Sequence, residues 1–228
     1  MHESVKSAFR PWITGKGPTG EGDVRYMYKD SKGYVTIGIG NKIDPISTAS
    51  PWLSPNNFTH KHRKSFTRAD VEKEWRTVRN VKNWRCHGDF ESITNLRLTD
   101  VALTNLFNSK LNSIELNLKN RYREWFGEFD SWPADAQMGL LGLAWGIGEG
   151  GVAMKFKKFR QACYEWDFIT AAAESHYQGE SVSSRRRKAD LKILFNNAAF
   201  VLYKNLPRGQ LIFPQAKLAP IMFKPSFL

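Results

Sequence analysis

Three polar side chains fall close together on a stretch whose other residues favour strands: Glu21, Asp30 and Thr36. Two carboxyl groups and a hydroxyl are enough to split a glycosidic bond with water. One carboxyl, held protonated, gives its proton to the leaving oxygen, the other carboxylate activates a water, and the hydroxyl helps to hold that water. Each residue also has a plain structural role. Asp starts turns, Thr favours strands, and Glu in a glycine-rich loop is solvated. Residue type alone favours the plain roles, so the decision falls to spacing.

The element that must position these groups is a β-hairpin over residues 21–41, EGDVRYMYKDSKGYVTIGIGN. Val24, Tyr26 and Tyr28 alternate along a first strand, and Tyr34, Val35, Ile37 and Ile39 give the return strand its aromatic and β-branched character. Between them Asp30-Ser31-Lys32-Gly33 has the composition of a turn. Gly38 and Gly40 break the second strand and let backbone pass close to a neighbouring element.

The pattern E-G-x(7)-D-x(2)-G-x(2)-T-I-G-I-G, read from Glu21 to Gly40, resembles position for position the active-site hairpin of the phage-type lysozymes, the inverting muramidases. The resemblance implies that Glu21 is the general acid and that Asp30 and Thr36 hold the attacking water. The family commonly has His after the last glycine, where this chain has Asn41. The run Asn41-Lys42-Ile43-Asp44-Pro45 is similar to a bacterial branch of these enzymes that reads G-N-x-I-D-P.

Composition bounds what else the chain can be. At 228 residues with 41% hydrophobic and 13% aromatic content, it can bury one sizeable core or two lobes that share one. The formal charge of +12 favours a polyanionic partner: nucleic acid, anionic membrane or anionic cell wall. No run of eighteen apolar residues predicts a membrane span, and the first twelve residues lack the apolar core of a signal peptide. Cys86 and Cys163 have no metal-ligand spacing, and they fit two unrelated thiols as well as one disulfide. No zinc, phosphate-loop or dinucleotide motif is present, and no nucleic-acid recognition motif accompanies the charge.

Along the chain, residues 3–9 read as a short helix that stops before Pro11, and residues 14–20 as loop. Residues 43–65 read as irregular, with His60 and His62 in a solvated basic loop rather than as metal ligands. Thr67-Arg68-Ala69-Asp70 predicts a capping box opening a helix to about Asn80, with Val71, Trp75 and Val78 on one face. Residues 81–95 are ambiguous and read as an insertion. From Leu98 the pattern is helical: one helix to about Tyr122, then one from Ala134 to Trp145 with no polar face, which belongs at the centre of a bundle. Shorter helices follow over residues 156–165 and 167–174, then a longer one over 185–202. The proline-rich tail after Leu202 is expected to run extended over the helical part.

The segments LTDVALTNLFN, ADAQMGLLGLAWGIGEGG, FKKFR and SHYQ…RRRKADLKILFNNA fall in the order of the helical lobe of the same lysozymes. The resemblance thus covers most of residues 20–200 and implies an α+β lysozyme-like fold. A small hairpin lobe (21–97), a larger helical lobe (98–202) and a cleft between them would form one domain, with an N-terminal segment and an extended tail. Trp145, Asn41, Gly146 and Arg185 fall where the resemblance implies substrate contacts. Arg185 matches an Arg that pairs with the catalytic Glu, and Gly146 stands where relatives carry an amide side chain. Trp145 suits stacking on a sugar and filling the core equally well.

The implied activity is hydrolysis of the β-1,4 bond between N-acetylmuramic acid and N-acetylglucosamine, without metal or cofactor, by a monomer whose partner is peptidoglycan. Two roles fit: a phage endolysin, or a bacterial antagonistic toxin delivered to the periplasm by other components and countered by an immunity protein. The absence of a signal sequence, the insertion and the G-N-x-I-D-P run favour the toxin. A wall-binding module that has lost catalysis is the rival from another class. The three intact polar residues argue against it.

Overall fold

The computed structural model describes residues 1–15, 23–49, 51–84, 86–175 and 182–214, with backbone alone at 48–49 and 182–187. The protein is α+β and mainly helical, with a small antiparallel sheet. It divides into two compact units, one of residues 12–113 and one of residues 1–11 with the chain from Ile114 onward. The division falls inside two helices, α1 (Glu3–Thr14) and α3 (Asp100–Lys119). Helix α1 does not stop at Pro11 as its sequence predicts. Val5, Phe9 and Ile13, spaced by four, are all buried, and burying that stripe outweighs the one backbone hydrogen bond a proline removes near a helix end.

In the unit of residues 12–113, β1 (Val24–Lys29), β2 (Val35–Gly38) and β3 (Asn41–Lys42) form an antiparallel sheet in that order. Tyr28 stands opposite Thr36 and Lys29 opposite Val35, and on the far side Thr36 faces Lys42 and Ile37 faces Asn41. The predicted hairpin is therefore present, with a short third strand added. Gly38 has φ +62°, and a Cβ there would lie 3.2 Å from Leu103 Cδ1 and 3.5 Å from Leu98 Cδ1. The glycine in the T-I-G-I-G run lets α3 and its leading strand press against the hairpin.

Helix α2 (Arg68–Asn80) opens on the predicted capping box. Asp70 N donates to Thr67 Oγ1 at 3.3 Å, and Thr67 N donates to Asp70 Oδ2 at 2.8 Å. Its buried residues are Val71, Trp75 and Val78, the predicted face. Trp75 Nε1 donates to the Ile43 carbonyl at 2.8 Å, which fixes α2 to the chain leaving the hairpin.

The irregular reading of residues 43–65 needs correction at one place. β4 (Phe58–His60) pairs antiparallel with β5 (Leu96–Leu98). Three-residue strands carry too little alternation to be read in sequence, and this pair is fixed by burial of Phe58, Leu96 and Leu98. The adjoining Glu74 carboxylate of α2 accepts from Asn95 N at 2.7 Å and Leu96 N at 3.1 Å. Within residues 81–95, His87–Phe90 form a 3₁₀ turn anchored by the fully buried Phe90.

In the other unit, α5 (Ala134–Ile147) is buried along nearly its whole length, as its all-apolar sequence predicts. Around it lie α4 (Arg123–Phe126), α6 (Glu149–Lys155), α7 (Lys157–Tyr164), α8 (Phe168–Glu174) and α9 (Val182–Tyr203). Phe126, Phe129, Trp132, Phe159, Phe168 and Phe195 form a continuous aromatic core with ring centroids 5.1–6.5 Å apart.

The buried Asp135 organises the chain after α9. Its Oδ1 accepts from Asn197 Nδ2 at 2.9 Å and Phe213 N at 3.0 Å, and its Oδ2 from Ile212 N at 2.9 Å. Burial pushes this carboxyl above the ordinary range, and the three donors pull the other way. The chain after α9 thus packs on α5 as far as residue 214, in successive turns; residues 215–228 lie outside the described residues. Both cysteines are free thiols, Cys86 exposed and Cys163 buried. Among the described residues no helix is long and apolar enough to cross a membrane.

Candidate active site on the hairpin

Asp30 closes the hairpin turn with one carboxylate oxygen. Its Oδ1 accepts from Lys32 N and Tyr34 N, both at 2.9 Å, while its backbone N donates to the Tyr34 carbonyl at 3.0 Å. The turn-forming role is therefore real and uses Oδ1 alone. Oδ2 accepts no hydrogen bond among the described residues.

Thr36 is 2% exposed, and its Oγ1 donates to the Tyr34 carbonyl at 3.1 Å. That bond uses the hydroxyl proton and leaves the oxygen lone pairs as acceptors. Tyr28 is the cross-strand partner of Thr36, and Asp30 lies two residues beyond Tyr28. With a side-chain period of two, Tyr28, Asp30, Tyr34 and Thr36 share one face of the sheet. Lys42, opposite Thr36 on β3, lies on the same face with its Nζ 4.3 Å from the Tyr34 ring centroid.

The opposite face carries the supports. Lys29 Nζ donates to the Val81 carbonyl at 2.6 Å and lies 4.7 Å from the Trp84 ring centroid. Burial, with Arg79 nearby, lowers the pKa of this lysine, and Asp44 opposes the shift. Asp44 Oδ2 accepts from Val35 N at 3.2 Å and pairs with Arg79 Nε at 3.3 Å. Ile43 N donates to Val35 O at 2.9 Å. The Ile43-Asp44-Pro45 run therefore holds β2, the strand that carries Thr36, in register. Asn41 is 9% exposed, and its buried Nδ2 has no hydrogen-bond partner among the described residues. Lys110 of α3 donates to the Gly40 carbonyl at 2.9 Å. Neither the Asp44 bond nor the Lys110 bond is legible in the sequence, because each joins residues distant in the chain or depends on a side-chain orientation.

The remaining predicted site residues fall as follows. Glu21 and the side chain of Arg185 lie outside the described residues. Trp145 is 4% exposed with its ring edge-on to Phe9 at 5.6 Å, which fits the core-filling one of its two readings. Gly146, the next residue, is exposed in the last turn of α5. His60 Nδ1 accepts from His62 N at 3.0 Å, and among the described residues no group of three His, Cys, Asp or Glu is placed to share a metal ion. No protein-family model matches the chain, and no curated protein is significantly similar to it in sequence.

Proposed function

We propose that this protein is a lysozyme-like peptidoglycan hydrolase that cuts the β-1,4 bond between N-acetylmuramic acid and N-acetylglucosamine with inversion. The observation that carries the reading is the placement of Asp30 and Thr36 on one face of the hairpin, in the spacing to Glu21 that the muramidase motif requires.

The hydrogen-bond inventory supports a definite division of labour. Asp30 Oδ2 and Thr36 Oγ1 both act as acceptors towards a water, so both water protons point into the protein and a lone pair points out. Glu21 donates its proton to the leaving glycosidic oxygen as the C1–O bond breaks. The water oxygen bonds to C1 from the opposite face, and its proton passes to Asp30. Proton exchange with solvent then restores both carboxyl groups. The charge of +12 draws the enzyme to a polymer that carries peptide carboxylates. The Asn41–Pro45 run supports the bacterial branch, and with it the role of an antagonistic toxin that an immunity protein would block.

The test is muropeptide release from purified sacculi. Glu21→Gln should lose about 10²–10⁴-fold in rate, the usual worth of general acid–base assistance, with unchanged circular dichroism. Asp30→Asn keeps an Oδ1 acceptor for the turn, so it should fold normally and still lose most activity, whereas Asp30→Ala should lose both. Thr36→Val should lose less. An active Glu21→Gln variant overturns the assignment.

A further inference from the structure

The 3₁₀ turn His87–Phe90 lies in the segment that has no counterpart in the hairpin motif, yet it packs on the hairpin. His87 Nδ1 is 3.2 Å from the Tyr26 hydroxyl. The His87 ring stands edge-on to Tyr28 with centroids 6.0 Å apart, and 6.5 Å from Tyr26. Tyr28 is the residue directly across from Thr36 and two before Asp30. His87 therefore adjoins the face of the sheet on which the water-holding pair lies.

The ring is held from behind. The Arg97 guanidinium lies 4.9 Å from the Tyr26 ring centroid. That guanidinium donates in turn to the carbonyls of Thr94 at 3.2 Å, Leu96 at 2.8 Å and Glu91 at 3.0 Å. Tyr26 and Tyr28 are each 8% exposed, whereas His87 is exposed. A fixed row, Arg97–Tyr26–His87, thus ends in one solvent-facing imidazole.

With the Tyr26 hydroxyl as the donor to Nδ1, the neutral ring carries its proton on Nε2. A doubly protonated ring also has a proton there. In either state His87 offers solvent one N–H donor.

We propose that His87 is a substrate-contacting residue whose Nε2–H donates to an acetamido carbonyl of the N-acetylated glycan. That group is the strongest uncharged acceptor such a sugar chain presents. The proposal rests on the reading of the hairpin as a glycosidase site, and binding tests it apart from turnover.

With Glu21→Gln as the parent to suppress hydrolysis, a soluble N-acetylglucosamine hexamer is titrated by calorimetry and by the histidine side-chain nitrogen signals. The His87 Nε2 signal should move on addition of the hexamer. His87→Ala should weaken binding by about five-fold, the worth of one net hydrogen bond. His87→Gln, which keeps an N–H donor at a similar reach, should recover part of that loss. A hexamer affinity that His87→Ala leaves unchanged overturns the proposal, as does a failure of the parent to bind the hexamer. A parent that binds and still hydrolyses sinks the Glu21 assignment but leaves the His87 result standing.

Discussion

Asp44 Oδ2 accepts the backbone N–H of Val35 at 3.2 Å, so a side chain nine residues further on completes the hydrogen bonding of the strand that carries Thr36. The same oxygen pairs with Arg79 Nε at 3.3 Å. One carboxylate thus joins β2 to α2. Its two partners differ in burial: Val35 is fully buried, and the Arg79 side chain is 46% exposed.

Unequal costs follow for the two ends of that link. Asp44→Ala leaves a buried N–H unpaired, which costs roughly 1–3 kcal/mol. Arg79→Ala removes a half-exposed ion pair worth no more than about 1 kcal/mol. Urea denaturation of both variants checks the order. Equal losses would mean that the ion pair, and not the strand N–H, gives Asp44 its importance. Muropeptide release by Asp44→Ala should also fall, because Thr36 loses its register.

Gly139 of α5 lies directly under the Phe195 ring of α9. A Cβ at 139 would come within 2.9 Å of two ring carbons. Alanine normally stabilises a helix over glycine by about 1 kcal/mol. Here the neighbour is the rigid ring of a fully buried residue in a close-packed core, and overpacking costs about 1–3 kcal/mol. Gly139→Ala should therefore lower the thermal midpoint. The double variant Gly139→Ala with Phe195→Leu should show a smaller loss than the two single losses added together. Simple additivity would show that the contact is not what limits position 139.

The helical unit carries an ion cluster of Glu115, Asp130, Lys119 and the Met1 amino group. Burial raises the Glu115 and Asp130 carboxyl groups, but hydrogen bonds from Lys119 Nζ and the Met1 amino group outweigh it, and both carboxyl groups end below their ordinary values. Lys119 lies 2.6 Å from Glu115 Oε1 and 2.9 Å from Asp130 Oδ1. A carboxyl with a depressed folded pKa gives stability that is present above its unfolded pKa, about 4, and is lost as pH falls through the folded value. Stability should therefore drop on acidification below about pH 4. Lys119→Met should make that acid limb shallower while lowering stability at neutral pH. Equilibrium denaturation between neutral pH and pH 3 reads both effects, and a limb of unchanged slope in Lys119→Met would remove the cluster as its source.

Much of the local architecture was legible in the chain itself. The Asp30–Gly33 turn, the strand character of residues 24–29, the Thr67–Asp70 capping box and the all-apolar α5 are local signals, each set by residues within one or two turns of one another. The simple alternation of Val24, Tyr26 and Tyr28, however, is broken by a register shift between Val24 and Tyr28. The spacing of Glu21, Asp30 and Thr36 likewise stands in the sequence, and with it the reaction we propose. Tertiary structure decided what depends on distant partners. It carried α1 through Pro11 by burying Phe9 and Ile13, paired β4 with β5, put Trp145 in the core, and made Asp44 a brace for Val35. It also brought His87 against Tyr26 and Tyr28. The physical reason is common to all of these. Propensity and periodicity act over a few residues, whereas burial and side-chain hydrogen bonds are settled only when segments tens of residues apart compete for the same space.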